Sequence, residues 1–204
     1  AQSAILNEVT NTGMAVITDS VHDLTGATNL DELHPRNKEV PGERLALLAL
    51  DNAYGQNIVS AGPTLQSLRL VGNKVEITFD SAVGLTTSDS LAPDWFELAG
   101  SDEIYEAATA TVSGNKVILE ASGVSVPEAM RFAWSEVAQP NLRNAAGLVA
   151  SSFRADVPAL TSHGTPHAWL NSFGLVAGSD YEAADLLDSD GDGFGDPLQN
   201  LESC

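Results

Sequence analysis

The middle of the chain carries short runs in which apolar and polar residues alternate, the pattern of half-buried β-strands. The stretches "SLRLVGNKVEITFD" (67–80) and "TATVSGNKVILEAS" (109–122) resemble each other around a shared "GNKV". Each predicts two strands joined by a tight turn, because Gly and Asn tolerate the positive φ angles that such turns require. Two hairpins of this kind predict an all-β module.

Aromatic residues mark further strands of this module, in "PDWFELAG" and "EAMRFAWSEV". Four of these residues are expected in its core: Trp95, Phe96, Phe132 and Trp134. With strands continuing to about Phe153, residues 59–156 predict a β-sandwich, a fold that commonly takes about a hundred residues.

The residues before the β module follow a different pattern. "GMAVITDSV" (13–21) is a short apolar run typical of a buried strand, and from Pro41 "PGERLALLALDNAYG" predicts a helix that ends at Gly55. Leucines on more than one face predict that this helix is largely buried. Residues 1–58 therefore form a mixed α/β unit that is too small to stand alone and needs a partner for its apolar faces.

The third part of the chain, residues 157–204, has acidic residues but no Lys or Arg. "TPHAWLNSFGL" predicts a short helix, and "DSDGDGFGDPLQ" (188–199) carries an ordered ladder of aspartates and glycines. Ca²⁺ takes about six to eight oxygen ligands, and loops of this spacing supply them in order. The predicted ligands are Asp188, Asp190, Asp192, the Phe194 carbonyl and Asp196.

The last position of this calcium loop departs from the usual pattern. Gln199 stands where such loops carry a bidentate Glu, which predicts a weaker affinity unless Glu202 takes that place. The alternative interpretation is an acidic tail with no bound ion.

Composition narrows the classes of function. The chain has 204 residues with 9 Lys+Arg against 28 Asp+Glu, a net charge of -19 that repels nucleic acid and anionic membranes, so neither is expected as a partner. No apolar run approaches the roughly 20 residues that cross a bilayer. The N-terminus has no signal-like segment, and its entry into a strand-like run predicts a fragment or processed product. Cys204 is the single cysteine and excludes an internal disulfide.

Asp31 and His34 are candidate catalytic residues. A histidine can take the proton from a nucleophilic serine while a carboxylate holds the imidazole in the required tautomer. The Asp-x-x-His spacing suits such a pair but is weak evidence by itself, since it also arises by chance or at a helix start. His22 and Asp23 form a rival pair. His163 and His167 have metal-ligand spacing but lack the glutamate of a zinc motif, which favours surface or packing roles.

The surroundings of Asp31 and His34 resemble the end of the catalytic domain in the sialate O-acetylesterase family of SGNH (GDSL-like) hydrolases. The matching positions are 13–16, 31–35, 37–38 and 42–47. The resemblance continues through "GNKVEITF", "FELAG", "RFAWSEVAQPNLRNAAGL" and "SSFRAD", to about residue 156. It implies a flavodoxin-like α/β domain, with His34 as general base and Asp31 as its orienting acid. The implied reaction removes acetyl groups from sugar hydroxyls.

The nucleophile of such a reaction is not evident in the chain. The family carries it in a Gly-Asp-Ser or Gly-Gln-Ser turn near the start of its domain, whereas here Thr18-Asp19-Ser20 lacks the glycine and Gly178-Ser179-Asp180 lies in the tail. No Gly-x-Ser-x-Gly elbow occurs either. We therefore expect the serine upstream of Ala1, and we expect the 204 residues alone to be inactive.

The tail is similar to calcium-binding modules of the dockerin and thrombospondin type 3 kind. That resemblance implies a secreted protein, extracellular or periplasmic. One alternative function is a non-enzymatic adhesion or carbohydrate-binding protein, which exposure of Trp95 or Trp134 would favour. Another is a purely structural module in which Asp31 and His34 are incidental.

Overall fold

The computed structural model of the protein describes residues 5–20 and 37–158. Two helices, α1 (Ile5–Glu8) and α2 (Glu39–Asn52), precede the β module. In chain order the strands of the module are β1 (Thr64–Val71), β2 (Lys74–Asp80), β3 (Thr86–Thr87), β4 (Phe96–Ala99), β5 (Glu106–Ala107), β6 (Thr109–Ser113), β7 (Lys116–Glu120), β8 (Ala129–Phe132), β9 (Leu142–Arg143) and β10 (Phe153–Asp156).

The two stretches that share "GNKV" form the first sheet, in the strand order β1-β2-β7-β6. Each stretch is a hairpin, and β2 and β7 pair antiparallel with Val75 opposite Leu119. The turns place Gly72 at φ 62 and Gly114 at φ 65, each followed by Asn, which is the arrangement of a type II′ turn. The predicted hairpins are confirmed.

The second sheet has the order β10-β8-β4-β5, and every neighbouring pair is antiparallel. Strands β3 and β9 form a small two-stranded sheet. The main sheets face each other through one hydrophobic core, where the Phe79 ring of the first sheet lies 6.0 Å from that of Phe153 in the second. Alternating side chains supply this core, as in a β-sandwich. The prediction of a β-rich module is therefore confirmed.

The predicted helix is present, although it starts earlier than predicted. It begins at Glu39, which places Pro41 inside its first turn, where a missing N–H costs no helical hydrogen bond. It stops before Gly55, which has a φ of 66, and the Gln56 N–H bonds the Leu50 carbonyl at 2.9 Å.

Two predictions about residues 5–58 are wrong. No residue of α2 is buried, and Leu45 is 57% exposed, because the described residues cover only part of the helix surface. Residues 12–17 have an irregular conformation instead of the predicted strand. A strand requires ladder hydrogen bonds to a neighbour, and none of the described residues pairs with this segment.

Candidate functional site

The residues predicted to carry catalysis and metal binding lie outside the described ranges. This holds for Asp31 and His34, for the rival pair His22 and Asp23, and for the tail with His163, His167 and the aspartate ladder. The calcium ligands concerned are Asp188, Asp190, Asp192, Phe194 and Asp196. Their geometry stays a prediction, whereas the backbone on both sides of residues 21–36 is described.

An ion pair anchors the chain just before the segment that contains Asp31 and His34. The Arg44 Nη1 donates to Asp19 Oδ1 at 2.6 Å and its Nη2 donates to Asp19 Oδ2 at 2.7 Å. Nη1 also donates to the Val16 carbonyl at 2.5 Å. The two charged side chains are only 11% and 18% exposed. This two-pronged geometry suits Arg and holds residues 16–19 against helix α2.

The other end of that segment is also held in place. The Asn37 Oδ1 accepts a hydrogen bond from the Glu39 N–H at 2.8 Å, where helix α2 begins. Asn37 follows His34 by three positions in the sequence. The described residues on either side of 21–36 therefore both lie next to helix α2.

The structure corrects half of the predicted aromatic core of the β module. Phe96 and Phe132 are 2% and 0% exposed and stack with their ring centroids 4.4 Å apart, which confirms them as core. Trp95 and Trp134, in contrast, are 38% and 48% exposed, so the prediction that they are buried is wrong. Both lie at the same end of the two central strands of the second sheet, because β4 starts and β8 ends there.

Backbone conformation explains why the two tryptophans face outward. Trp95 directly precedes β4, in which Phe96 is buried and Glu97 is partly exposed. Beyond β8 the alternation breaks at Ala133, whose φ of 49 turns its own side chain into the core and Trp134 outward. Trp95 also has a positive φ, 60, and its carbonyl accepts a hydrogen bond from the Ala133 N–H at 3.0 Å. Bulky residues rarely adopt this conformation, which costs about 1–2 kcal/mol and is frequent at functional sites.

The two indoles border an open cleft of about 890 Å³, which we call the tryptophan cleft. Three stretches of chain form its walls, one around the start of β4, one from β5 to β6 and one at the end of β8. Its lining includes Asp94, Trp95, Glu97, Arg131, Trp134 and Ser135. The volume lies within the range of ligand-binding clefts in proteins.

A fixed ion pair lies in this cleft. Glu97 and Arg131 are register partners on β4 and β8, and the Arg131 Nε and Nη2 donate to the Glu97 carboxylate at 2.7 and 2.9 Å. The Tyr105 ring stacks on the guanidinium, with Cζ of Arg131 4.1 Å from its centroid. The hydrogen bond to Glu97 raises the pKa of Arg131 above its usual value, so the guanidinium stays charged. Contacts on two sides leave this side chain little freedom to move.

A buried asparagine shapes the loop that carries Trp95. The Asn141 Nδ2 donates to the Ala92 carbonyl at 2.9 Å and to Asp89 Oδ1 at 3.1 Å. Its backbone N–H donates to Asp94 Oδ1 at 2.9 Å, and its Oδ1 accepts from the Asp94 N–H at 3.2 Å. Burial raises the pKa of the Asp94 carboxyl above its usual value, and the bond from Asn141 opposes this shift.

The residues of this cleft were not recognised in the sequence as a group, although part of the signal was present. The alternation of Phe96, Glu97 and Leu98, directly after Trp95, is visible in the sequence. Neither the cross-strand pair Glu97–Arg131 nor the role of Asn141 follows from local sequence, because each depends on which segments become neighbours.

Metal and membrane features are absent from the parts of the chain that the structure describes. Within residues 5–20 and 37–158, no three His, Cys, Asp or Glu side chains cluster as a metal site would require. Over the same residues, no helix has the length and apolar character needed to span a bilayer.

Comparisons with known proteins show a similarity to a solved structure. No model of a known protein family matches the chain, and no curated protein matches it. A crystal structure described as a novel carbohydrate acetylesterase from Xanthomonas citri is 37% identical over 60% of this chain, with a TM-score of 0.58. The match covers 29% of the length of that esterase. The chain is therefore similar, in fold and in sequence, to part of a carbohydrate acetylesterase.

Proposed function

We propose that this chain is part of a carbohydrate acetylesterase that removes acetyl groups from sugar hydroxyls. The observation that carries the proposal is the 37% identity, together with the shared fold, to a portion of the Xanthomonas citri carbohydrate acetylesterase. The chain matches only 29% of that protein, so the activity belongs to a longer polypeptide. The finer assignment is a sialate-type SGNH hydrolase, to whose motifs residues 31–47 are similar.

In this proposal the catalytic acid–base pair is Asp31 and His34. His34 takes the proton from a serine hydroxyl as the serine attacks the acetyl carbonyl, and then gives it to the departing sugar oxygen. Water releases acetate from the acyl-serine in a second step and restores the hydroxyl. Asp31 holds the imidazole in the tautomer that accepts the proton. We place the serine upstream of Ala1, since no Gly-Asp-Ser or Gly-x-Ser-x-Gly turn occurs in the 204 residues.

The anchors around residues 21–36 support this assignment. A catalytic pair must be held within a fraction of an ångström of its working geometry, and loops achieve this when their ends are fixed to regular elements. Arg44 ties Asp19 and Val16 to helix α2 on one side, and Asn37 bonds the first turn of the same helix on the other.

The proposal also assigns a calcium site to the tail, residues 157–204. We assign Ca²⁺ to the loop with Asp188, Asp190, Asp192, Asp196 and the Phe194 carbonyl, with Gln199 or Glu202 at the last position. The similarity of this loop to dockerin and thrombospondin type 3 modules supports an extracellular or periplasmic location. Calcium in this role orders the tail and takes no part in ester hydrolysis.

The test uses the full-length protein and its release of acetate from acetylated xylan, acetylated sialic acid and 4-nitrophenyl acetate. His34→Ala should lower kcat/KM by about 10³-fold or more, because the serine loses its base, and Asp31→Asn should lower it by about 10²-fold or more. The matched control is His22→Ala in the rival pair, which should retain wild-type activity. Activity that survives His34→Ala but not His22→Ala would contradict the assignment.

The position of the serine has its own test. The 204-residue chain alone should release no acetate from any of these substrates. Turnover by that chain, lost on His34→Ala, would show that the nucleophile lies within it.

A further inference from the structure

The tryptophan cleft combines two kinds of surface that are rarely exposed together. Trp95 and Trp134 are both exposed to solvent at the same end of the central strands β4 and β8. Beside them, the Glu97 carboxylate and the Arg131 guanidinium form a planar polar patch that is about one third exposed on each side chain, at 30% and 29%. A ligand that fits must therefore have an apolar face next to an edge rich in hydrogen-bonding groups.

Pyranose rings have this combination of surfaces. Their axial C–H groups form an apolar, slightly positive face that packs on the negative face of an indole. Their equatorial hydroxyls both donate and accept, so they match a carboxylate and a guanidinium that already lie side by side. Ser135 and Asp94 add a hydroxyl and a second carboxylate to the lining. The volume of about 890 Å³ suits a short oligosaccharide.

The polar side chains of the cleft are preorganised for a ligand. The Arg131 side chain is fixed by two hydrogen bonds from its guanidinium to Glu97 and by the Tyr105 ring. The loop before Trp95 is fixed by the buried Asn141 amide. A site whose side chains are already ordered loses less conformational entropy on binding, which raises affinity without further contacts.

The charge of the cleft selects among carbohydrates. Asp94 and Glu97 are acidic, Arg131 is the basic residue of the lining, and its charge is already paired with Glu97. The chain as a whole carries a net charge of -19. Within this cleft, the acidic lining disfavours anionic ligands such as uronic acids and favours a neutral saccharide.

We propose that the tryptophan cleft is a carbohydrate-binding site for a neutral oligosaccharide, whose rings stack on Trp95 and Trp134 and whose hydroxyls bond Arg131 and Glu97. The site lies on the β module and needs neither Asp31 nor His34.

The direct test is calorimetric titration of the 204-residue chain with non-acetylated xylohexaose, cellohexaose and mannohexaose. At least one should bind with a micromolar to low millimolar dissociation constant. Trp134→Ala and Trp95→Ala should each weaken binding by about tenfold or more, since each removes a stacking face. Trp134→Phe keeps a ring and should lose less. The matched control is Tyr54→Ala, an aromatic residue that is 75% exposed and lies outside the cleft, and it should bind as the wild type does.

Several outcomes would overturn the proposal. These are no binding of any of the three sugars at millimolar concentration, equal binding by both tryptophan variants and the wild type, and stronger binding of an oligogalacturonate than of the neutral sugars. Thermal unfolding of each variant verifies its fold. If Trp95→Ala fails to fold, the binding of Trp134→Ala alone decides the result.

A measurement on the full-length protein separates a sugar site from a contact with the rest of the polypeptide. Both indoles should react with N-bromosuccinimide, and oligosaccharide should protect them. Protection in the absence of sugar, together with no sugar binding, would mean that another part of the protein covers the cleft, which contradicts the proposal. Because the ligands carry no acetyl groups, failure here is distinct from a failure of His34→Ala to affect ester hydrolysis.

Discussion

At the scale of single residues, two buried asparagines hold the loops of the β module. Asn141 and Asn144 are 5% and 2% exposed and lie three positions apart. The Asn144 Nδ2 donates to the Ala61 and Ser81 carbonyls at 3.0 and 2.9 Å, and its Oδ1 accepts from the Leu148 N–H at 3.1 Å. Buried amides with all their groups bonded fix a unique loop arrangement, which apolar side chains cannot do.

Charged residues on the first sheet make its stability depend on pH. The Lys116 side chain donates to Glu76 Oε1 at 2.8 Å, and this bond, helped by Arg69, holds the pKa of the Glu76 carboxyl below its usual value. A carboxyl with a lowered pKa in the folded state stabilises the fold above its unfolded-state pKa. That stabilisation is lost as the pH falls through the folded-state value.

We therefore expect Glu76→Gln to lower the free energy of unfolding by about 0.5–1 kcal/mol at pH 7. The difference from wild type should shrink toward zero as the pH falls through the lowered folded-state pKa of Glu76, below which the wild-type carboxyl is also neutral. Urea titrations at pH 7 and pH 3 measure both values. Glu136→Gln, at an exposed glutamate, is the matched control, with an expected change below about 0.5 kcal/mol at either pH. A Glu76→Gln deficit that is as large at pH 3 as at pH 7 would rule out the ion pair as its cause.

At the scale of elements, close backbone approaches decide where glycine is required. A Cβ added to Gly62 would lie 2.1 Å from the Val149 carbonyl oxygen, so the segment that leads into β1 packs directly on the turn before β10. A Cβ added to Gly42, in helix α2, would meet nothing within 4 Å. Replacing glycine by alanine should therefore destabilise the protein at position 62 but not at position 42.

Gly62→Ala should lower the free energy of unfolding by about 1–3 kcal/mol, because the backbone of Val149 must move. Gly42→Ala should be neutral or stabilise helix α2 by about 0.5–1 kcal/mol, since alanine loses less backbone entropy than glycine in a helix. Urea unfolding followed by circular dichroism measures both. Equal unfolding midpoints for Gly62→Ala and the wild type would show that the close approach does not constrain this junction.

At the scale of the whole molecule, residues 5–58 and the β module meet at a small junction. Ser60 donates to the Asp51 carboxylate at the end of helix α2, at 2.5 Å. Residues 14–16 and Arg44 lie around a gap of about 10 Å³ together with residues 60–62, Leu148 and Val149. The junction therefore sets the position of the anchors of residues 21–36 relative to the β module.

The distribution of charge along the whole molecule bears on the tail. All 9 Lys and Arg residues precede residue 157, so the tail adds negative charge without internal compensation. Bound Ca²⁺ would offset that charge. We expect calorimetry to give a dissociation constant of about 10⁻⁴–10⁻³ M, and Asp190→Ala to weaken it by about tenfold or more. Asp180→Ala, an acidic residue outside the ladder, is the control and should bind calcium normally. No heat at millimolar calcium would contradict the site.

The sequence by itself determined the local features of this protein. The two Gly-Asn turns, the alternation around Ile77 and Leu119 and the helix that stops at Gly55 all depend on neighbours within a few positions, and each agrees with the structure. Phe96 and Phe132 were also predicted as core from the sequence, and both are buried, at the start of β4 and at the end of β8.

Only the tertiary structure decided which surfaces are covered. Trp134 faces solvent because Ala133 breaks the strand alternation, which depends on the bond between Ala133 and Trp95 across two strands. Residues 12–17 form no strand and helix α2 stays exposed, because burial and pairing need a partner element that a local pattern cannot supply. The tryptophan cleft arises in the same way, from segments that are distant in sequence and adjacent only after the sheets have formed.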